Sequence, residues 1–586
     1  MGDDFKPYFG KIMSALAPYM AAKETEEDLT LRSGICDAIG RIAVAVGAEA
    51  FKPYVEDLMR NSEEGLHLDS SELRESSFIL WSQLCKVYEM DFAPFLDGVF
   101  KALLDVLNED NDDVALNLTE EELAIAGDAL DLVTAGKRAK VRIADADEIL
   151  MDDDDDDDFE DFVESAEAME KEVAVEVLGD VILHSCGTSD IAKHLEKALE
   201  AVTPLLDHHY EGCRKSAVST LWRSYARVWQ LTEEETGVKW EPGFPPKHTP
   251  SVALIKLGEI VTKGTLSMWA EESERDVVTE INRMVAHTLR ITGPAVLVGE
   301  ETLTQVITAL SLIVTRSHAC QQDLGNEVED QDVQESSEYD WLVIDTALDV
   351  VISLSVALGP SFGELWKIFE KPVMKFASSN DALERSTAVG VIAECINYMG
   401  ATCTPYTSPL LKLLLHRLSD EDPETKSNAA YGAGLLVFNS TDSKTYLPSF
   451  DTILSKIEPM LNLPAAASGR GLDNACGCLC RLIMAHPDRV NLDEYLPVLV
   501  ERLPIKEDYE ENTPIFQCIF KLYEHDNQTV SNLTPKLIPV FEKVLSPPED
   551  QLTDETRELV KKIVQILYKA KPDLFQAHPA VVGLAA

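Results

Sequence analysis

Short polar side chains recur at matching positions of successive helical patterns in the second half of the chain. Asp345, Ser386, Asn428, Asn474 (one residue ambiguous with Asp473) and Asn512 fall in register when Gly390 is aligned with Gly432 and Gly359 with Gly400. An amide offers both a donor pair and an acceptor, so such a stripe can hold the main chain of an extended peptide whatever its sequence. Acids flank it: Asp340, Asp349, Glu384, Glu394, Asp473, Glu510 and Glu511. Trp341 and Tyr431 stand where an aromatic face could cover the aliphatic stem of a lysine. The chemistry is recognition of a basic segment, not reaction. An Asn at these positions equally serves to bridge neighbouring repeats.

Reaction chemistry has no foothold. The sequence holds no P-loop, no Gly-x-Ser-x-Gly elbow and no His-Glu-x-x-His, and its 12 histidines do not gather. We therefore assign no catalytic, cofactor or metal residues. Cys476, Cys478 and Cys480 alternate within a helical pattern, which splays their thiols, and no second Cys/His pair follows at ligand spacing. They are read as small core residues. The 11 scattered cysteines fit a reducing compartment. No run of 18 apolar residues and no signal-peptide pattern is visible, so neither a membrane span nor a leader is expected.

Net charge is −52, which repels nucleic acid and anionic membranes and attracts basic partners. Residues 109–170 carry 24 acids against 4 bases, including the run Asp152–Asp158, yet most of the acidity lies outside this stretch. The run is either a solvated loop or a polyanion mimic that engages basic cargo or the groove.

The elements that must position the stripe come from a repeat. Phe5-Lys6-Pro7-Tyr8 returns as Phe51-Lys52-Pro53-Tyr54, and an aromatic or Leu two places before Pro recurs at Phe92, Tyr446, Tyr495 and Leu533. Each opens a helical pattern, with Pro in the first turn, where its missing N–H has no helical partner. About twenty residues on, a basic residue opens a second helix rich in small residues: Arg32, Arg74, Arg214, Arg385 and Lys426. The steps of 42 and 41 within the close pairs are the size of a HEAT or armadillo unit. The Asp…Arg pairs at these openings are read as a structural ladder, and Trp81, Trp222 and Trp366 as packing residues. The predicted fold is all-α: a right-handed HEAT-repeat solenoid of about eleven helix pairs. Repeats are expected over 1–108 and 165–586, with an acidic insertion at 109–164 and connectors near 232–249 and 321–338.

SNAAYGAGLL (Ser427–Leu436), the FxPY openings and the long acidic tract inside one repeat resemble the importin-β type of nuclear transport receptor, nearest its importin-four branch. The resemblance covers essentially the whole chain and suggests the C-terminal half of such a receptor. It implies nuclear import of lysine-rich localisation segments of histones H3/H4 and ribosomal proteins, held on the concave side lined by second helices. It further implies phenylalanine-glycine nucleoporins as partners, Ran-GTP as a partner of the full-length receptor, a monomeric state, and shuttling between cytoplasm and nucleus through the nuclear pore. A HEAT scaffold subunit and an acidic histone-chaperone-like binder are the competing readings.

Overall fold

Several second helices begin where the sequence supplies a cap. The Asp381 carboxylate accepts from the Glu384 amide at 3.0 Å and Asp422 from Thr425 at 2.7 Å; Thr25, Ser70 and Thr553 cap their helices in the same way. The computed structural model describes residues 2–68, 70–108, 116–118, 141–143, 154–297, 299–322, 330–463, 469–548 and 551–585. Eleven second helices are present among them, one for each expected from the repeat. The fold is the all-α HEAT stack. Among the described residues it also holds a pair of parallel three-residue strands, Leu116–Leu118 and Val141–Ile143, within the acidic insertion.

The chain divides into two compact units: residues 1–239, 250–292 and 296–302 in the first, and 240–249, 293–295 and 303–586 in the second. In the first unit the second helices are Glu26–Val46, Ser71–Tyr88, Asp154–Ser185, Glu211–Thr236 and Arg275–Thr292, and each packs on the next. Their first-helix partners are Gly2–Leu16, Val55–Gly65, Leu96–Asn108, Thr188–Val202 and Val252–Glu271. In the second unit Asp330–Leu358, Ala382–Met399, Pro423–Asn439, Arg470–Ala485, Asn512–Glu524 and Asp554–Ala570 form the corresponding row. Close approach within this row needs small residues: a methyl on Gly434 would lie 2.8 Å from the Cys478 Cα.

Several boundaries differ from the sequence reading. The helix expected from about 168 begins at Asp154, so most of the Asp run is helical rather than a loop; acidic residues favour a helix N-terminus. Asp152 and Asp153 lie outside the described residues. Helix Asp330–Leu358 likewise starts inside the expected 321–338 connector. The motif prolines are not uniformly in the first helical turn. Pro53, Pro94 and Pro448 lie in tight turns just before their helices, whereas Pro497 and Pro535 sit within theirs. Asp340–Phe376 is long and apolar enough to cross a membrane by composition alone. It is broken by a turn at Gly359–Phe362, and 72% of its most apolar window is buried in the protein.

The basic residue that opens the second helices has a recurrent job. Arg74, Arg214 and Arg385 each fork a carboxylate with Nε and Nη2: Glu170 at 2.7 and 3.0 Å, Glu272 at 2.9 and 3.0 Å, and Asp420 at 3.2 and 3.0 Å. Nη1 turns back to carbonyls of the preceding turn, at Leu68, at His208 and His209, and at Ser379 and Asn380. Each rung ties a helix opening to the next repeat. Arg32 donates to the carbonyls of Asn61 and Ala22 and approaches Glu64 at 3.7 Å without forking it, and Lys426 has no such fork because an ammonium lacks the planar pair of donors. Burial pushes the Asp420 carboxyl up, but Arg385, the Asp422 amide and Arg417 outweigh it and hold the group below its ordinary value. Arg385→Ala should cost about 3 kcal/mol of stability by stranding part of the Asp420 charge. Arg385→Lys should recover less than half of that, as read by urea unfolding midpoints.

Candidate functional site

The row of second helices in the second unit closes around a cavity of about 340 Å³. Helix Asp330–Leu358 contributes Asp345, Leu348, Asp349 and Ile352, and helix Ala382–Met399 contributes Thr387, Gly390, Val391 and Glu394. Asn428 and Tyr431 follow from the next helix, Arg470 and Asn474 from the one after, and Asp508, Glu510 and Glu511 from the turn preceding Asn512. Eight of the fourteen residues singled out from the sequence line this one space. Six of the lining side chains are carboxylates.

Four of the six are held above the ordinary carboxylate range, Glu511 by burial that outweighs its Arg481 partner. Burial, then repulsion from Glu510, carries the Glu394 carboxyl up to about 7, although the Tyr431 hydroxyl donates to it. Burial, then the nearby Asp349, raises Asp345. Burial, then Glu510, raises Asp508. Two nearby cations of the chain are already paired, one of them with a cavity carboxylate. Arg481 forks both oxygens of the buried Glu511, at 2.6 and 2.7 Å, with its guanidinium 5.1 Å from the Tyr431 ring centre. Arg470 is more than half exposed and reaches Glu424 at 3.1 Å. Gly477 makes the Arg481–Glu511 pair possible, since a methyl there would overlap the Glu511 carboxylate.

The remaining six residues are not cavity walls, and the structure gives each an internal partner. Arg316, from a turn with left-handed backbone, bridges Asp340 at 3.3 Å and Glu384 at 3.2 Å, and Gln321 donates to Asp340 at 2.9 Å. These two acids already hold a cation of the chain. Trp341 packs edge-on against Phe376, 5.5 Å between ring centres, where it serves packing. Ser386 is buried. One Asp473 oxygen accepts from the amides of Lys506, Glu507 and Asp508 at 3.2, 2.8 and 3.0 Å and fixes the turn that carries Asp508 to the cavity. Asn512 donates to the Gln551 carbonyl at 2.8 Å.

The amide stripe thus works mainly between repeats. Asn428 Nδ2 donates to the Ser386 carbonyl at 2.9 Å and Asn474 Nδ2 to Ser427 Oγ at 3.0 Å. What these amides still offer a ligand is acceptor capacity: Asn474, 2% exposed, keeps its Oδ1 buried without a partner. Sequence reasoning missed Asp508, Thr387 and Arg470. Asp508 had a visible signal, two places before Glu510, but sits in a turn that helix register cannot place. Cys476, Cys478 and Cys480 are buried, and burial pushes their thiols up, to about 12 at Cys478.

No protein-family model matches the chain. It is similar to the probable importin subunit beta-4 of Schizosaccharomyces pombe, 33% identical over 595 residues that cover 99% of this chain and 53% of that protein. Among solved structures, Kap121p bound to RanGTP superposes with a TM-score of 0.63 at 16% identity, covering 99% of this chain and 54% of that one. Kap121p bound to Pho4p gives 0.60 at 16%, with the same coverage. The chain spans about half the length of each. The fold is that of the HEAT-repeat karyopherin class. The chain belongs to the importin-β-type karyopherins, a family of transport receptors and not of enzymes.

Proposed function

We propose that the chain is the cargo-holding part of a nuclear import receptor, and that the second-unit cavity takes cationic side chains of an extended basic segment. The carrying observation is the cavity itself: six carboxylates, four of them with raised pKa, gathered where the chain's own cations are already committed. An ammonium or guanidinium entering there would relieve that repulsion. The relative's name, importin, and the RanGTP and Pho4p complexes of Kap121p support a transport reading. By resemblance the cargo is the lysine-rich tails of histones H3/H4 and localisation segments of ribosomal proteins. Acetylation of a cargo lysine would weaken capture by deleting a charge.

One hydrogen bond to a charged group contributes about 1.5–3 kcal/mol, and nanomolar affinity needs about 12. Several contacts must therefore act together along the row. Ran-GTP is proposed as a partner of the intact receptor, with shuttling between cytoplasm and nucleus. Phenylalanine-glycine nucleoporins suit a groove of about 370 Å³ in the first unit, where Met59, Pro94, Phe95 and Val99 are flanked by Glu56, Arg60 and Glu63.

Calorimetry with H3-tail and H4-tail peptides at 50 and 300 mM salt tests the reading. Capture should weaken at least tenfold at the higher salt, because the exposed acids that steer the peptide are screened. Absence of binding, or affinity indifferent to salt, would overturn it.

A further inference from the structure

We propose that cation capture in this cavity is coupled to release of a proton held by Glu394. The inference rests on the cationic ligand proposed above and deepens it. It begins from placement. Glu394 is half-buried on helix Ala382–Met399. Asp345 and Asp349 face the same cavity from the preceding second helix, Tyr431 and Asn428 from the following one, and Asp508, Glu510 and Glu511 from the turn before Asn512. The cations near it are Arg470, extended to Glu424, and Arg481, which is forked onto Glu511.

The buried amide of Asn474 adds a second, independent pointer to a ligand. Its Nδ2 is used on Ser427, while Oδ1 meets no donor in the chain. A stranded acceptor among carboxylates suits a group that brings hydrogen-bond donors, as an ammonium or guanidinium does. A proton on Glu394 is the empty cavity's partial substitute for that group.

Charge balances simply. The neutral carboxylic acid meets an alkylammonium, becomes a carboxylate paired with it, and gives its proton to solvent. With the Glu394 carboxyl raised to about 7, this group is largely protonated at pH 6.5 and largely ionised at pH 8 when no cation is bound. Capture should therefore tighten as pH rises through 7. The unliganded chain should do the opposite. A carboxyl raised on folding stabilises the folded state at low pH, and that contribution is lost as pH climbs through the folded value.

The test is calorimetry of the full chain with a histidine-free lysine-rich peptide at pH 6.5, in phosphate and in Tris. These buffers differ widely in ionisation enthalpy. Roughly 0.7 proton should be released per peptide bound, and Glu394→Gln should bind more weakly with that release abolished. Equal apparent enthalpies in the two buffers, or an unchanged proton count in Glu394→Gln, would overturn the coupling while leaving capture itself intact. If the peptide does not bind, the cargo reading fails, and the proton is read separately from urea unfolding between pH 6 and 8. The parent chain should lose stability relative to Glu394→Gln across this range, and parallel curves would overturn the proposal.

Discussion

Glu511→Ala should lower the unfolding free energy by about 3–5 kcal/mol, while its neighbour Glu510→Ala should change it by less than about 0.5 kcal/mol. The two adjacent acids look interchangeable in the sequence. Glu511 is 1% exposed and holds both donors of a buried guanidinium, so its loss leaves Arg481 charged, desolvated and beneath the Tyr431 ring. Glu510 is exposed at the cavity edge. Removing both halves of the buried pair, as Arg481→Met with Glu511→Leu, should recover much of the loss, because apolar groups of similar volume replace a pair that is costly to desolvate. Urea unfolding of the four proteins checks this. Equal destabilisation by Glu510→Ala and Glu511→Ala would contradict the assigned geometry.

Asp345→Asn combined with Glu510→Gln should weaken capture of a basic peptide about a hundredfold. Each charge-assisted contact contributes about 1.5–3 kcal/mol, and the estimate stays near the lower bound because Glu510 is solvent-screened. The same double variant should unfold at equal or higher urea, since it removes repulsion that raises Asp345 and Asp508. Fluorescence anisotropy with a labelled H3-tail peptide reads the first effect. Unaltered affinity would remove the cavity from the cargo path. Asp340→Asn is the contrasting control: it disturbs the Arg316 bridge and should act on stability.

The repeat was legible because its physics is local. Aromatic-x-Pro openings, capping residues and the basic residue that opens five of the second helices are set within a few residues, and the repeat spacing they define places the second helices. Helix register also located the cavity, since side chains at matching positions of parallel helices share a face. It could not say which of those side chains the stack would consume. Asp473 and Asn512 share the face, yet neighbouring turns reach them first. Asp340 and Glu384 lost their availability to Arg316, whose reach depends on a left-handed turn that no periodicity announces. Asp508 was overlooked for the same reason: turns carry no period.

The guanidinium rungs between repeats imply a practical separation of two kinds of electrostatics. Arg214–Glu272 and Arg385–Asp420 are largely shielded from solvent, so mobile ions reach them poorly. The acids at the cavity mouth are bathed in electrolyte. If the cavity takes a basic peptide as proposed, a potassium chloride gradient should strip that peptide from the immobilised chain well before the helical stack loosens, which allows repeated loading and elution of the same protein.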